Sequence, residues 1–134
     1  MSDTPTKKQS VLLVDDDQFL LNMYSLKFTN SGFEVETAGS AVGALQKLRD
    51  GLTPSMVLCD LVMPSMDGLE FIKRMKEEKL SPSSAIVVLT NQSQSAEIEK
   101  AKELGVDGYI VKASTIPSEV VEEVKKILEK HRTK

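Results

Sequence analysis

The chain has 134 residues, of which 40% are hydrophobic, 28% charged and only 4% aromatic, which predicts one globular domain with an aliphatic core. A formal net charge of -3 lacks the basic excess of nucleic-acid-binding domains, so we expect no direct contact with nucleic acid. One cysteine excludes an internal disulfide and no apolar stretch could span a membrane, so a cytoplasmic protein without membrane association is expected.

Short apolar runs alternate with helical patterns five times along the chain. The strands are predicted over 10–14, 33–38, 56–59, 85–89 and 107–111. The helices that follow them are predicted to begin at the caps Asp17, Ser40 and Asp67, at Gln94, and at the first-turn proline Pro117. Segment 1–9 is polar and is predicted to be a flexible tail, and 132–134 a second short tail.

The alternation of strands and helices predicts a parallel sheet with helices on both faces. The second and fifth strands read as sheet edges, whereas the third and fourth are apolar on both faces. With right-handed crossovers, this pattern favours a flavodoxin-like (βα)5 fold of the α/β class. The expected sheet is doubly wound, with five parallel strands in the order 2-1-3-4-5, and the domain is predicted to occupy 10–131.

Polar side chains follow the strands where the sheet edge is expected. Asp15 and Asp16 follow the first strand and Asp60 closes the third. Carboxylates that share a pocket repel one another unless one is protonated or a cation is present, and Mg²⁺ suits such a set of hard oxygen ligands. Asp60 can then attack a phosphoryl group as a nucleophile. Thr90 and Lys112, after the fourth and fifth strands, can supply a hydroxyl and an ammonium to the developing charge.

From position 11 to about 128 the chain resembles the response-regulator receiver domains of the CheY-like family. The residues that carry the resemblance are Asp15-Asp16, Asp60 with Leu61-Val62-Met63-Pro64-Ser65-Met66-Asp67-Gly68, Thr90, and Ala101-Lys102-Glu103-Leu104-Gly105-Val106-Asp107-Gly108-Tyr109-Ile110-Val111-Lys112. Each motif alone is weak, but the ordered set, each at a strand end, is specific.

The resemblance implies a Mg²⁺ site beside the phosphoacceptor Asp60. Asp16 would bind the ion directly and Asp15 largely through water. Asp60 and the backbone carbonyl of Val62 would complete the protein ligands. The phosphoryl donor in the family is a histidine kinase or a small acyl phosphate, and the domain catalyses its own phosphorylation and dephosphorylation.

The resemblance also implies a switch. Thr90 would bond one phosphoryl oxygen and Lys112 another. Tyr109 matches the family's aromatic switch residue, which turns inward when Thr90 moves toward the phosphate. Output would pass to a downstream protein effector, from a monomer or a phosphorylation-dependent dimer.

Three residues near the expected phosphate bear on its geometry and lifetime. Ala113 and Asn91 depart from the family pattern, and Val62 occupies a position that tunes hydrolysis of the phosphate in the family. Ala113 stands where a proline usually follows the lysine across a cis bond; a cis bond here would cost about 3 kcal/mol. We favour cis at this site, and a trans bond would place Lys112 differently. Asn91 replaces a residue that is commonly small, and its amide either narrows access to the phosphate or donates to it. Apolar Val62 cannot orient an attacking water, so a long-lived phosphate is expected.

Other interpretations stay open at this point. Asp15 and Asp16 could serve as helix-capping chemistry, as Asp17 does. Tyr109 could be an ordinary edge-strand aromatic. The domain could be a receiver from a longer regulator such as a transcription factor, or a flavodoxin-like Mg²⁺-dependent enzyme or small-molecule binder. His131 is expected to be an exposed cation at the end of the last helix.

Overall fold

A computed structural model of the protein describes residues 9–63, 65–90, 95–112 and 116–132. Along these residues five strands alternate with five helices. The strands are β1 (Ser10–Val14), β2 (Glu34–Ala38), β3 (Met56–Asp60), β4 (Ala85–Thr90) and β5 (Gly108–Val111). The helices are α1 (Gln18–Asn30), α2 (Ala41–Arg49), α3 (Gly68–Glu77), α4 (Ser95–Glu103) and α5 (Pro117–Arg132). The predicted tails lie almost entirely outside the described residues.

The strands form one sheet in the order β2-β1-β3-β4-β5, and every neighbouring pair is parallel. The predicted α/β class and the doubly wound flavodoxin-like order are therefore confirmed. β1 and β3 lie side by side with Val14 opposite Cys59, so the loops after these two strands leave the sheet at the same place. None of the described helices is long and apolar enough to cross a bilayer.

Local sequence signals set the helix boundaries. Asp17, Ser40 and Asp67 each accept a hydrogen bond from a backbone N–H in the first turn of α1, α2 and α3, so the three predicted caps are confirmed. Gly32 and Gly51 follow the ends of α1 and α2 with φ of +94° and +109°, a left-handed conformation that glycine adopts without a steric penalty.

The core consists of two apolar layers, one on each face of the sheet. Helices α2, α3 and α4 cover one face and α1 and α5 cover the other. β1, β3 and β4 are buried on both faces, which is why their sequences are continuous apolar runs rather than alternating ones. Because apolar layers pack on both faces of the central strands, the polar residues that follow those strands are held in defined positions.

The side chain of His131 is only 27% exposed, so the expectation of an exposed group at the end of α5 is wrong. Its Nε2–H donates to the carbonyl oxygen of Ser83 at 2.8 Å, and Nδ1 lies 3.1 Å from Oδ1 of Asp107. The Asp107 carboxylate also accepts the backbone N–H of Ile86 at 2.8 Å. The imidazole therefore links the end of α5 to the starts of β4 and β5, at the opposite edge of the sheet from Asp60.

Candidate functional site

The carboxyl edge of the sheet gathers the predicted site residues. Asp15 follows β1, Asp60 ends β3, Thr90 ends β4 and Lys112 follows β5. The side chains of Asp15, Asp60 and Thr90 are all buried. Because the four strands are parallel and adjacent, residues far apart in sequence meet at one end of the sheet.

Three carboxylates form a compact acidic cluster at this edge. One oxygen from each of Asp15, Asp16 and Asp60 lies within 4.8 Å of the other two, and only Asp16 is exposed to solvent. Oδ1 of Asp15 accepts the backbone N–H of Asp17 at 2.9 Å. Asp17 itself caps α1 through Phe19 N–H at 3.0 Å. The capping interpretation therefore holds for Asp17, whereas Asp15 and Asp16 belong to the cluster.

Lys112 bridges the two buried carboxylates. Its Nζ lies 2.8 Å from Oδ2 of Asp15 and 3.3 Å from Oδ2 of Asp60, and its side chain is only 7% exposed. Burial lowers the pKa of the ammonium, but the hydrogen bond that it donates to Asp15 and the charges of both carboxylates outweigh burial and hold the pKa above its usual value. Lys112 therefore stays a cation at neutral pH.

The environment of Asp60 disfavours its charged form. Burial is the largest effect and raises the pKa of the carboxyl group; the Lys112 ammonium lowers it and the Asp15 charge raises it again. The backbone N–H of Val62 donates to Oδ1 at 3.3 Å, which also lowers the pKa. The balance leaves the pKa of Asp60 above its usual value, so ionisation of Asp60 lowers the stability of the folded domain.

The donor set fits a hard divalent cation. Three carboxylates carry three negative charges and Lys112 returns one positive charge, so two negative charges remain when all are ionised. Oxygen ligands close together, with one carboxylate open to water, match the preference of Mg²⁺ for a few carboxylates and several waters. The cluster is therefore compatible with Mg²⁺ and with an aspartate that accepts a phosphoryl group.

Gly68 allows α3 to begin directly against the backbone of Asp60. Its N–H donates to the carbonyl of Leu61 at 2.9 Å. A Cβ on Gly68 would lie 2.3 Å from the carbonyl oxygen of Asp60, much closer than two such atoms can approach. Sequence reasoning included Gly68 only as part of a motif, and the usable signal was a glycine immediately after the Asp67 cap. The close approach fixes the loop that contains Val62.

The other predicted site residues that the structure describes, Val62, Thr90 and Tyr109, differ in their exposure to solvent. Val62 is 65% exposed beside the cluster, and Thr90 is buried at the end of β4. Tyr109 is 43% exposed on β5, opposite Val88 in the sheet register. Asn91 and Ala113, together with the predicted cis bond before Ala113, lie outside the described residues.

Asp60→Asn is expected to raise the resistance of the metal-free domain to urea at pH 7. Because the folded-state pKa of Asp60 lies above its unfolded value, ionisation favours unfolding, and stability is lost as pH rises through that interval. The advantage of the variant should therefore shrink as pH falls toward about 4 and should be largely lost below it, where both states are protonated. Urea midpoints in EDTA at several pH values test this. The exposed Asp50→Asn is the control, and an equal gain at pH 3 and pH 7 would contradict the explanation.

Comparison with known proteins identifies the family. Residues 11–125 match the family model described as the response regulator receiver domain. The chain is 32% identical over 120 residues to the DNA-binding response regulator MtrA of Mycobacterium tuberculosis H37Rv, with coverage of 90% of this chain and 50% of MtrA. It thus spans about half the length of that relative.

A second relative matches along nearly its whole length. The chemotaxis protein CheY of Thermotoga maritima is 36% identical over 120 residues, with coverage of 87% of this chain and 95% of CheY. Among solved structures, the response regulator TrrA of Thermotoga maritima, in complex with Mg²⁺ and BeF, superposes with a TM-score of 0.76 at 28% identity, covering 89% of this chain and 98% of that one. The chain belongs to the response regulator receiver domain family, whose members act in two-component signalling.

Proposed function

We propose that this domain is a phosphorylation-driven binding switch whose input is the Asp60 carboxylate. The observation that carries the proposal is the position of Asp60, which is buried at the end of β3 within the acidic cluster and bonded to Lys112. The family membership supports the same role. The predicted receiver boundaries, 10–131 between two short tails, form part of the proposal.

The chemistry is an in-line displacement at phosphorus. One oxygen of Asp60 forms a bond to phosphorus while the bond from phosphorus to the donor's leaving group breaks, and the leaving group departs with that electron pair. Mg²⁺ held by Asp15, Asp16, Asp60 and the Val62 carbonyl would neutralise charge on the phosphoryl oxygens. Phosphorylation replaces the carboxylate that Lys112 contacts with a more highly charged group, and the ammonium would pair with a phosphoryl oxygen.

The readout is proposed to pass through Thr90 and Tyr109. The Thr90 hydroxyl would bond another phosphoryl oxygen, and the ring of Tyr109 would move inward from its exposed position. A phosphate that interacts differently with two arrangements shifts the population between them, and partners read the shift. The proposed partners are a histidine kinase as phosphoryl donor and a downstream protein effector, with no direct contact to nucleic acid or membrane.

Two alternatives give different experimental results. A receiver from a longer regulator, as the likeness to half of MtrA allows, would show the same chemistry at Asp60 with an additional output domain. A flavodoxin-like Mg²⁺-dependent enzyme or small-molecule binder would use the cluster without accepting a phosphoryl group. The bound Mg²⁺ and BeF reported for the relative TrrA favour the receiver.

Intact mass measurement tests the proposed function. Incubation with acetyl phosphate and Mg²⁺ should add one acid-labile phosphate to the domain, and EDTA should prevent the addition. Asp60→Asn should remain unlabelled, whereas the control Asp50→Asn, an exposed aspartate at the end of α2, should label like the parent. No labelling by acetyl phosphate or by a cognate kinase would exclude the receiver function.

Val62→Asn is expected to shorten the lifetime of the phosphorylated domain. Val62 is 65% exposed beside Asp60, and its apolar side chain can neither donate to nor accept from an attacking water. An amide there can orient that water, and we expect hydrolysis to be about tenfold faster, which is less than a positioned general acid or base contributes because the amide does not itself take up the proton. Phosphate loss after removal of the donor measures the rate. Val42→Asn, at a 56% exposed position of α2, is the control, and an unchanged lifetime in Val62→Asn would count against this role.

A further inference from the structure

Lys102 lies over the ring of Tyr109 on the surface formed by α4 and β5. Its Nζ is 5.4 Å from the ring centroid, within the range at which an ammonium is attracted to an aromatic face. Both side chains are partly exposed, at 52% for Lys102 and 43% for Tyr109. The contact joins a helix that follows β4 to the aromatic residue that the proposed function assigns to the switch.

The sheet geometry places Tyr109 and Thr90 under the same helix layer. Ile110 packs into the layer of α1 and α5, so the alternation of side chains along β5 directs Tyr109 to the opposite face. Val88, opposite Tyr109 in the register, packs into the layer of α2, α3 and α4, and Thr90 lies two residues further along on that face.

Helix α4 packs in this same layer and carries Lys102. Ala101 is fully buried in the same layer, and the next residue, Lys102, extends along the surface to Tyr109. The ring thus has an outward position, beside Lys102, and an inward direction, toward Thr90. A charged neighbour, Glu99, lies 3.6 Å from the same Nζ one turn earlier on α4. The ammonium makes this exposed contact and the ring contact at the same time, so the pair with Glu99 leaves it over the ring.

We propose that Lys102 is a positioning residue that holds Tyr109 outward and so sets the population of the unphosphorylated, inactive arrangement. The inference rests on the proposed function, because only there is Tyr109 a switch. A contact made in only one of two states changes the free-energy difference between them by the whole free energy of that contact. For an exposed cation–π pair, its loss corresponds to a shift of about two- to fivefold toward the inward state.

Tyrosine fluorescence gives a direct readout of this equilibrium. The chain has no tryptophan and two tyrosines, so Tyr24→Phe leaves Tyr109 as the only tyrosine emitter. Acrylamide quenching reports the exposure of Tyr109. Titration with beryllofluoride in Mg²⁺, a mimic of the phosphoryl group, reports how readily the active arrangement forms. Both are measured for the parent and for Lys102→Met, Lys102→Arg and Lys100→Met.

Lys102→Met should make Tyr109 less accessible to acrylamide and should lower the half-saturating beryllofluoride concentration by about two- to fivefold, because the competent state is more populated. Lys102→Arg should match the parent, since a guanidinium keeps a cation over the ring. Lys100→Met should also match it, since Lys100 faces the groove between α3 and α4. In a Tyr109→Ala background, where beryllofluoride binding is followed by calorimetry, Lys102→Met should no longer change the half-saturating concentration.

A Lys102→Met variant with parental quenching and parental half-saturation would overturn the inference while leaving the proposed function intact. A shift of equal size in Lys100→Met would also overturn it, because general charge loss on α4 would then explain the result. If beryllofluoride does not bind the parent, the proposed function fails instead. The quenching of the unliganded variants would still decide whether Lys102 positions Tyr109.

Discussion

Lys112→Met is expected to destabilise the metal-free domain by about 3 kcal/mol, near the lower end for breaking a buried ion pair because Asp16 opens the site to water. The substitution removes the ammonium that lies 2.8 Å from Asp15 and 3.3 Å from Asp60, so two buried carboxylates are left facing each other. Acceptance of a phosphoryl group from acetyl phosphate should also fall strongly. Urea unfolding in EDTA and initial labelling rates in Mg²⁺ measure the two effects.

Two comparisons separate repulsion between the Asp15 and Asp60 carboxylates from the simple loss of a lysine. Lys47→Met removes an exposed ion pair with Glu36 and should cost at most about 1 kcal/mol. Adding Asp60→Asn to Lys112→Met should recover much of the lost stability, because one of the two repelling charges is removed. If the double variant were no more stable than Lys112→Met, carboxylate repulsion could not explain the destabilisation.

Gly68→Ala is expected to destabilise the domain by about 2–3 kcal/mol, as overpacking against a rigid neighbour does. The new methyl group would lie 2.3 Å from the carbonyl oxygen of Asp60 and 2.8 Å from Cα of Leu61, both backbone atoms of the loop that begins at the site. The start of α3 must therefore move away from β3, and the proposed Val62 carbonyl ligand moves with the loop. Mg²⁺ should bind more weakly as a result.

Gly43→Ala is the matched control for this substitution. Gly43 lies within α2, where an added Cβ would meet only the Ser40 hydroxyl at 3.2 Å, and alanine favours a helix over glycine. It should be neutral or slightly stabilising and should leave Mg²⁺ affinity unchanged. Urea midpoints and Mg²⁺ titration are measured for both variants. A Gly68→Ala variant with parental stability and parental Mg²⁺ affinity would show that the close approach has no functional role.

Much of the fold was predictable because its signals are local. The caps Asp17, Ser40 and Asp67 each act within one helical turn, so their sequence patterns predict the helix starts directly. The strand order followed from the contrast between continuous and alternating apolar runs. The meeting of Asp15 with Asp60 then followed from parallel topology, since adjacent strands end at the same edge.

Contacts between distant side chains were not predictable in the same way. Lys112 was expected to pair with a phosphate, but the two oxygens it contacts belong to Asp15, 97 residues away, and Asp60. The bonds of His131 to Asp107 and Ser83, like the Lys102–Tyr109 contact, depend on side-chain rotamers and on how each helix packs against the sheet. Sequence periodicity predicts which face is buried, but it does not predict which partner a long polar side chain reaches.

Chemical mapping of the phosphorylated residue would decide whether Asp60 is the input of the switch. Borohydride reduces an acyl phosphate to an alcohol, so treatment after incubation with acetyl phosphate and Mg²⁺ should convert Asp60 to homoserine. Peptide mass spectrometry should find homoserine at position 60 and unchanged aspartate at 15 and 16. Homoserine at another aspartate, or incorporated phosphate with no homoserine at position 60, would contradict the proposed role of Asp60.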